Sequence, residues 1–251
     1  MLNNIMIGRY YPIRSKIHSM NPLAKTICIL LFLILSFLST DIVVNVIITG
    51  IIVLIMGLTH IPLKVYIKSL YGLRYLIIFI LLINLLMGTN IITVTIMLMR
   101  LVSLVLYTSI LTLTTPPTEI AYGLEELFKP FKYIGVPVAK MALSISLALR
   151  FIPTIIDQAN KILKTQASRG IDYHNSHLKG KLVALRAMLL PMFILSFKRA
   201  DALADAMEVR LYSFNTKRTH YHGYKWRLFD SYIILMHLLM IIVLIVKEVV
   251  R

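Results

Sequence analysis

The sequence contains a single cysteine, Cys28, in 251 residues, which excludes an internal disulfide and a cysteine-based metal cluster. Cys28 lies in an apolar run, where a small core residue is expected. Acidic residues are also scarce, 11 against 27 Lys and Arg, and no paired carboxylates sit inside an apolar segment, as acid–base chemistry there would need. There is no phosphate-binding loop of the form G-x-x-x-x-G-K-[ST]: Gly180-Lys181 lacks both the first glycine and the hydroxyl. H-E-x-x-H and G-x-S-x-G are missing as well. A membrane-embedded enzyme is therefore the weakest of the candidate classes, ATP hydrolysis by the chain alone is excluded, and no cofactor or metal is expected. His174, His177, His220 and His222 have no cysteine or supporting carboxylates in ligand spacing, and read as solvated loop histidines.

What is abundant is apolar sequence. Hydrophobic residues make up 58% of the chain and the mean hydropathy is +0.80, too apolar for a soluble domain. The composition predicts an all-α integral membrane protein. The net charge is +16, but it is concentrated. Lys129 to Arg227 holds 17 Lys and Arg against 5 Asp and Glu, so +12 falls in that region. Basic segments beside membrane spans mark the cytoplasmic side, and topology explains this charge better than nucleic acid, which is not expected as a partner.

Taken in order, the chain shows no compact apolar core followed by a cleavage site near its start, so a removable signal peptide is not expected. Two prolines, Pro12 and Pro22, break the lead-in. Leu23 to Ser39 and Ile42 to Thr59 are each close to the roughly 20 residues that cross a bilayer, and Ser39-Thr40-Asp41 joins them as a tight hairpin. Positive charge before the first span places the N-terminus in the cytoplasm. His60 to Arg74, with Lys64, Lys68 and Arg74, reads as a loop on that same side. Tyr75 to Met87 and Ile91 to Leu113 form a second pair of spans broken at Gly88-Thr89-Asn90. Arg100 lies inside the fourth span, where a charge should face the bundle or a wet cavity. It marks the runner-up function, a self-contained transporter or channel with Arg100 on its path. Ser231 to Val246 is the fifth span, which puts the C-terminus outside, a side that Lys247 and Arg251 speak against.

Between the fourth and fifth spans the texture changes. From Thr118, expected as an N-cap, Ile120, Leu124, Leu127, Phe128 and Phe131 recur at helical spacing, a short amphipathic helix for the membrane surface. A long helix then runs from Gly135-Val136-Pro137 to Gly170. Its second half has two faces: Arg150, Asp157, Lys161 and Lys164 on one, and Ile152, Ile155, Ile156, Ala159, Ile162 and Leu163 on the other. Ala167-Ser168-Arg169-Gly170 ends it, glycine being the residue that most readily takes the closing left-handed conformation. A second long helix spans Lys181 to about Tyr212. There Ala200, Leu203, Ala204, Met207 and Leu211 share a stripe, with Asp201, Asp205 and Glu208 off it. The small residues Ala200 and Ala204, and Ala202 and Ala206, predict a close helix crossing. Asn215 to Arg227, basic and aromatic, suits the interfacial belt.

Pro22-Leu23-Ala24-Lys25, Arg150-Phe151-Ile152-Pro153 leading to Ala167-Ser168-Arg169-Gly170, and Ala202 to Tyr212 (ALADAMEVRLY) resemble, in that order, the transmembrane component of energy-coupling factor transporters, the EcfT/CbiQ family. The resemblance covers nearly the whole chain. It implies a membrane domain at 1–114 with four transmembrane helices, a cytoplasmic coupling domain of long crossed amphipathic helices at 115–227, and a C-terminal transmembrane helix at 228–251. It also implies a non-catalytic subunit of an ATP-driven importer of vitamins or metal ions in the plasma membrane. Two ABC-type ATPase subunits would dock at Ala167, Ser168, Arg169 and Gly170 and at Ala206, Met207, Glu208 and Arg210. A separate substrate-binding membrane subunit, the S component, would pack on Ile155, Ile156, Ala159, Ile162, Leu163, Ala200, Leu203, Ala204 and Met207. The chain departs from the family pattern at Val209-Arg210-Leu211, where Ala-Arg-Gly is usual. Leucine resists the left-handed region by about 1 kcal/mol or more, so the second helix is expected to run on to Ser213 or Asn215.

Overall fold

The computed structural model describes residues 10–13, 15–170, 178–213 and 223–250. Among them every regular element is helical: α1 (Pro22–Leu38), α2 (Ile42–Thr59), α3 (Leu63–Tyr71), α4 (Arg74–Leu86), α5 (Ile91–Thr114), α6 (Pro117–Phe128), a 3-10 turn (Lys129–Ile134), α7 (Val138–Ser168), α8 (Leu178–Val209) and α9 (Leu228–Val250). The fold is that of an all-α integral membrane protein. Four of these helices, α2, α5, α7 and α9, are long and apolar enough to cross a membrane, and a fifth crossing results if α3 and α4, bent by 52° at their junction, count as one span. α1, apolar but only 17 residues long, falls just short of that length.

The packing divides the chain into two compact units, one built from α1 to α6 with α9 and the other from α7 and α8. In the first, Phe32, Leu35, Ile48, Ile52, Leu106, Tyr107 and Ile110 form the buried core. Around it the apolar residues face outward: Leu54 is 70% exposed, Leu85 83% and Val243 63%. Water would penalise that surface, whereas acyl chains satisfy it.

Polar groups organise the start of α1. Asn21 caps α1 by accepting from Leu23 N at 2.9 Å. The fully buried Asp230 caps two helices at once. Its Oδ1 accepts from Asn21 N at 3.3 Å and its Oδ2 from Arg227 N at 2.9 Å, so one carboxylate sits at the positive ends of α1 and α9. Lys25 donates to Thr114 O at 3.2 Å and Thr115 Oγ1 at 3.0 Å, satisfying one carbonyl and one hydroxyl at the end of α5. Gly123 of α6 lies so close to α1 that a Cβ there would fall 2.8 Å from Pro22 O. Pro22-Leu23-Ala24-Lys25 is thus the junction of four helices. Beside it, burial pushes the Glu119 carboxyl up, opposed by the Lys25 charge and a hydrogen bond from Tyr224. Burial, and then Glu119 itself, push the Tyr224 phenol up to about 12.

Three local expectations are corrected. His60 to Arg74 contains helix α3 rather than a continuous loop. Pro62 starts it, and Tyr66, only 1% exposed, anchors it with a hydrogen bond to Thr59 Oγ1 at 3.0 Å. The cap of α6 is Pro116, not Thr118, because Pro117 already fits the first helical position. The second long helix stops at Val209 and does not continue to Ser213 or Asn215. His174, His177, His220 and His222 lie outside the described residues.

Candidate docking site

Helices α7 and α8 pair in antiparallel fashion. Gln166 Nε2 donates to Ala187 O at 3.3 Å, while Arg199 donates to Thr154 Oγ1 at 3.1 Å and Gln158 Oε1 at 3.2 Å. The Arg199 guanidinium also lies 5.9 Å from the Phe151 ring centre. Each helix passes through an internal proline, Pro153 in α7 and Pro191 in α8. Arg199 lies outside the site residues expected from the sequence. It occupies the same stripe as Leu203 and Met207, and a charge on an apolar stripe signals a partner across the helix pair.

The expected polar face of α7 is exposed, with Arg150, Asp157, Lys161 and Lys164 all in contact with solvent. Of the apolar positions, Ile155, Ala200, Leu203, Ala204 and Met207 line an open groove of about 740 Å³ between the two helices. Ile156, Ala159, Ile162 and Leu163 do not line it; Ala159 is buried and the other three are half-buried. The close crossing expected at Ala200, Ala202, Ala204 and Ala206 is not where the small residues are covered. All four are exposed, and the buried alanines of the unit are Ala159 and Ala184. Side chains as long as Arg199 and Phe151 hold the helices apart at that level and leave the groove open.

The two helix ends are built alike. α7 ends at Ser168, Arg169 follows as the cap, and Gly170 takes the left-handed conformation with φ of 86°. α8 ends at Val209, Arg210 follows, and Leu211 takes the same conformation with φ of 55°. Gly170 N donates to Ala167 O at 3.0 Å, and Leu211 N donates to Glu208 O at 2.8 Å, the same three-residue step. Tyr212 N adds a bond to Met207 O at 2.9 Å, completing a Schellman closure at the second end. The helix stops there because two backbone bonds outweigh the roughly 1–2 kcal/mol of steric strain on a left-handed leucine.

Both arginines are exposed, as are Ala167, Ser168, Gly170, Ala206 and Glu208, with Met207 half-buried. Neither guanidinium has a hydrogen-bond or ion-pair partner among the described residues. Because the helices run antiparallel, the two arginines lie at opposite ends of the pair, roughly 40 Å apart for helices of this length. Their settings differ in charge. Lys161 and Lys164 precede Arg169, whereas Asp201, Asp205 and Glu208 precede Arg210.

Arg100 is placed elsewhere. Its Nη2 donates to Ser39 O at the carbonyl end of α1. Its Nε is buried without a hydrogen-bond partner among the described residues. The side chain joins α5 to the α1–α2 turn.

Residues 14–221 match the family model described as cobalt transport protein, CbiQ. Among curated proteins the chain is similar to the energy-coupling factor transporter transmembrane protein EcfT of Bacillus subtilis (strain 168), at 34% identity over 93% of this chain and 94% of that protein. The proteins of the same name from Staphylococcus aureus (strain 04-02981) and Acidaminococcus fermentans are 35% and 36% identical. The first alignment covers 92% of both chains and the second 88% of both.

Proposed function

Since the chain belongs to the EcfT/CbiQ family, as the transmembrane component of an energy-coupling factor transporter, we propose that it is the non-catalytic subunit that couples ATPase movement to uptake. In this reading α7 and α8 form the coupling domain and face the cytoplasm, and each arginine-capped end docks in one of two ABC-type ATPase subunits. The observation that carries it is the paired helix closure: two exposed arginines, each held at the cap by a left-handed residue, at opposite ends of one antiparallel pair. A guanidinium offers a planar fork of donors to carboxylates and carbonyls on a partner surface. The antiparallel pair is a strut, so a displacement of one end reaches the other through Arg199 and Gln166.

The groove lined by Ile155, Ala200, Leu203, Ala204 and Met207 suits the apolar surface of the S component. The adjoining positions Ile156, Ala159, Ile162 and Leu163 complete the face assigned to it. The cargo is a micronutrient, a vitamin or metal ion, chosen by that separate subunit. Arg100 enters this scheme as a structural bond between α5 and the α1–α2 turn, and no observation favours a transport path through it.

The test is co-purification. The wild-type chain, expressed with its ABC ATPases, is expected to bring both down from detergent-solubilised membranes. Arg169→Glu combined with Arg210→Glu is expected to reach the membrane and lose both. Full ATPase recovery and normal uptake by the double variant would reject the docking assignment.

A further inference from the structure

Helix α3 has no place in the docking scheme, yet its surface is organised. Its buried side is Tyr66, with Val65, Ser69 and Leu70 half-buried beside it. Leu63, Ile67 and Tyr71 are exposed at 64%, 61% and 65%, and at 100° per residue they form one strip. Lys64 and Lys68, also exposed, form a second strip directly beside it. At the bend into α4 the Arg74 guanidinium sits 4.4 Å from the Tyr71 ring centre and 4.5 Å from that of Tyr75, and donates to Tyr75 Oη at 2.7 Å. No acidic residue occurs anywhere from 42 to 118. None of the three cations has an acidic partner among the described residues.

The geometry also fixes the depth. α4 has 13 residues and rises only about 20 Å, short of the roughly 30 Å hydrocarbon thickness. With its axis bent by 52°, α3 adds about 8 Å. Lys64, in the first turn of α3, therefore reaches the headgroup level. Lys68, one turn deeper, snorkels to it along its own alkyl chain.

We infer that α3 and the Tyr71–Arg74–Tyr75 bend form a binding site for anionic phospholipid, with Leu63 and Ile67 in the acyl region, Lys64 and Lys68 on the phosphate groups, and the Arg74 guanidinium, held between the Tyr71 and Tyr75 rings, facing them from the bend below. Charge complementarity selects the occupant: a zwitterionic headgroup, neutral overall, would leave the charge of Lys64, Lys68 and Arg74 uncompensated, and an anionic one neutralises it. The two tyrosine rings pre-order the Arg74 guanidinium for a phosphate oxygen.

Native mass spectrometry of the full chain in detergent, with phosphatidylglycerol or phosphatidylcholine added at equal concentration, tests this directly. Wild type is expected to retain phosphatidylglycerol preferentially. Lys64→Gln, Lys68→Gln and Arg74→Gln together should lower that retention by roughly fivefold for each charge removed. Lys64→Arg with Lys68→Arg should preserve it. Should the triple variant melt early in the same detergent, the double variant Lys64→Gln with Lys68→Gln, both at exposed positions, carries the comparison. Equal retention of the two lipids by wild type overturns the inference, as does unchanged phosphatidylglycerol retention in the glutamine variants. Loss of a co-purifying protein with lipid retention intact would reassign the surface to that protein and overturn it too.

Discussion

The ends of α7 and α8 differ in sequence and agree in structure. One closes on Gly170, the other on Leu211, and both residues adopt positive φ, with an exposed arginine in the preceding position. What specifies the shape is the closure of backbone hydrogen bonds over the last turn, and glycine is its cheapest occupant rather than a requirement. The difference between the ends lies in charge. Lys161 and Lys164 lead to one arginine, while Asp201, Asp205 and Glu208 lead to the other. Two partners that are not identical would fit such a pair, each end presenting the same fork in an opposite field.

The largest expected effect comes from removing what ties the two ends into one strut. Arg199→Ala deletes the bonds to Thr154 and Gln158, and should destabilise the α7–α8 pair by about 1–3 kcal/mol. Hydrogen exchange would show faster amides in both helices while α1 and α9 keep their protection. Protection unchanged in α7 would mean that the helices do not depend on each other.

Exchanging the closing residues sharpens the comparison further. Gly170→Leu should cost about 1–2 kcal/mol at the end of α7, and Leu211→Gly should gain about 1 kcal/mol at the end of α8. Local exchange of the last-turn amides, read in the two variants, should move in opposite directions. A loss of stability in Leu211→Gly would show that the leucine makes a contact the backbone account leaves out.

Much of this was legible beforehand, and the places where it was not have physical causes. The family resemblance and the all-helical membrane fold followed from Pro22-Leu23-Ala24-Lys25, the two arginine motifs and the apolar runs, all of which are local patterns. The end of α8 departs from expectation because the backbone bonds from Leu211 and Tyr212 offset the steric cost of a left-handed leucine, and local sequence shows only that cost. Helix α3 is hidden in the sequence because nine residues with two lysines resemble a basic connector; its anchor, Tyr66, meets Thr59 only in the folded chain. Asp230 and Asn21 are 209 positions apart, a pairing that no local periodicity reveals. Arg199 could have been found, since its position on the stripe of Leu203 and Met207 was already on view.

Salt should separate the two ends where geometry does not. At the α7 end, Lys161 and Lys164 reinforce Arg169, so an ATPase held there should dissociate more readily as ionic strength rises. Binding at the α8 end should be less salt-sensitive, because three acidic groups already offset Arg210. Titrating NaCl against complexes carrying only Arg169→Glu or only Arg210→Glu reads the two separately. Identical salt slopes would break the electrostatic half of the comparison.

A smaller effect belongs to the other unit. The Tyr224 phenol is pushed up to about 12 by burial and by Glu119. The folded chain therefore holds that proton more tightly than the unfolded one. The stability this contributes is present below pH 10 and is lost as pH rises from there towards the folded value. Thermal unfolding between pH 9 and 11 should decline less steeply in Tyr224→Phe than in wild type, with the Arg169 and Arg210 variants following wild type. Parallel curves for Tyr224→Phe and wild type would remove the tyrosine from the account.

The most direct measurement compares the single charge reversals. With both ATPases co-expressed, Arg169→Glu and Arg210→Glu are each purified and the affinity for the ATPases is determined alongside wild type. Two equivalent docking ends predict comparable losses, each at least about tenfold, as expected for truncating or reversing an interfacial arginine anchor. Full affinity in Arg210→Glu, with loss confined to Arg169→Glu, would contradict the claim that a leucine-closed helix end serves as the counterpart of a glycine-closed one.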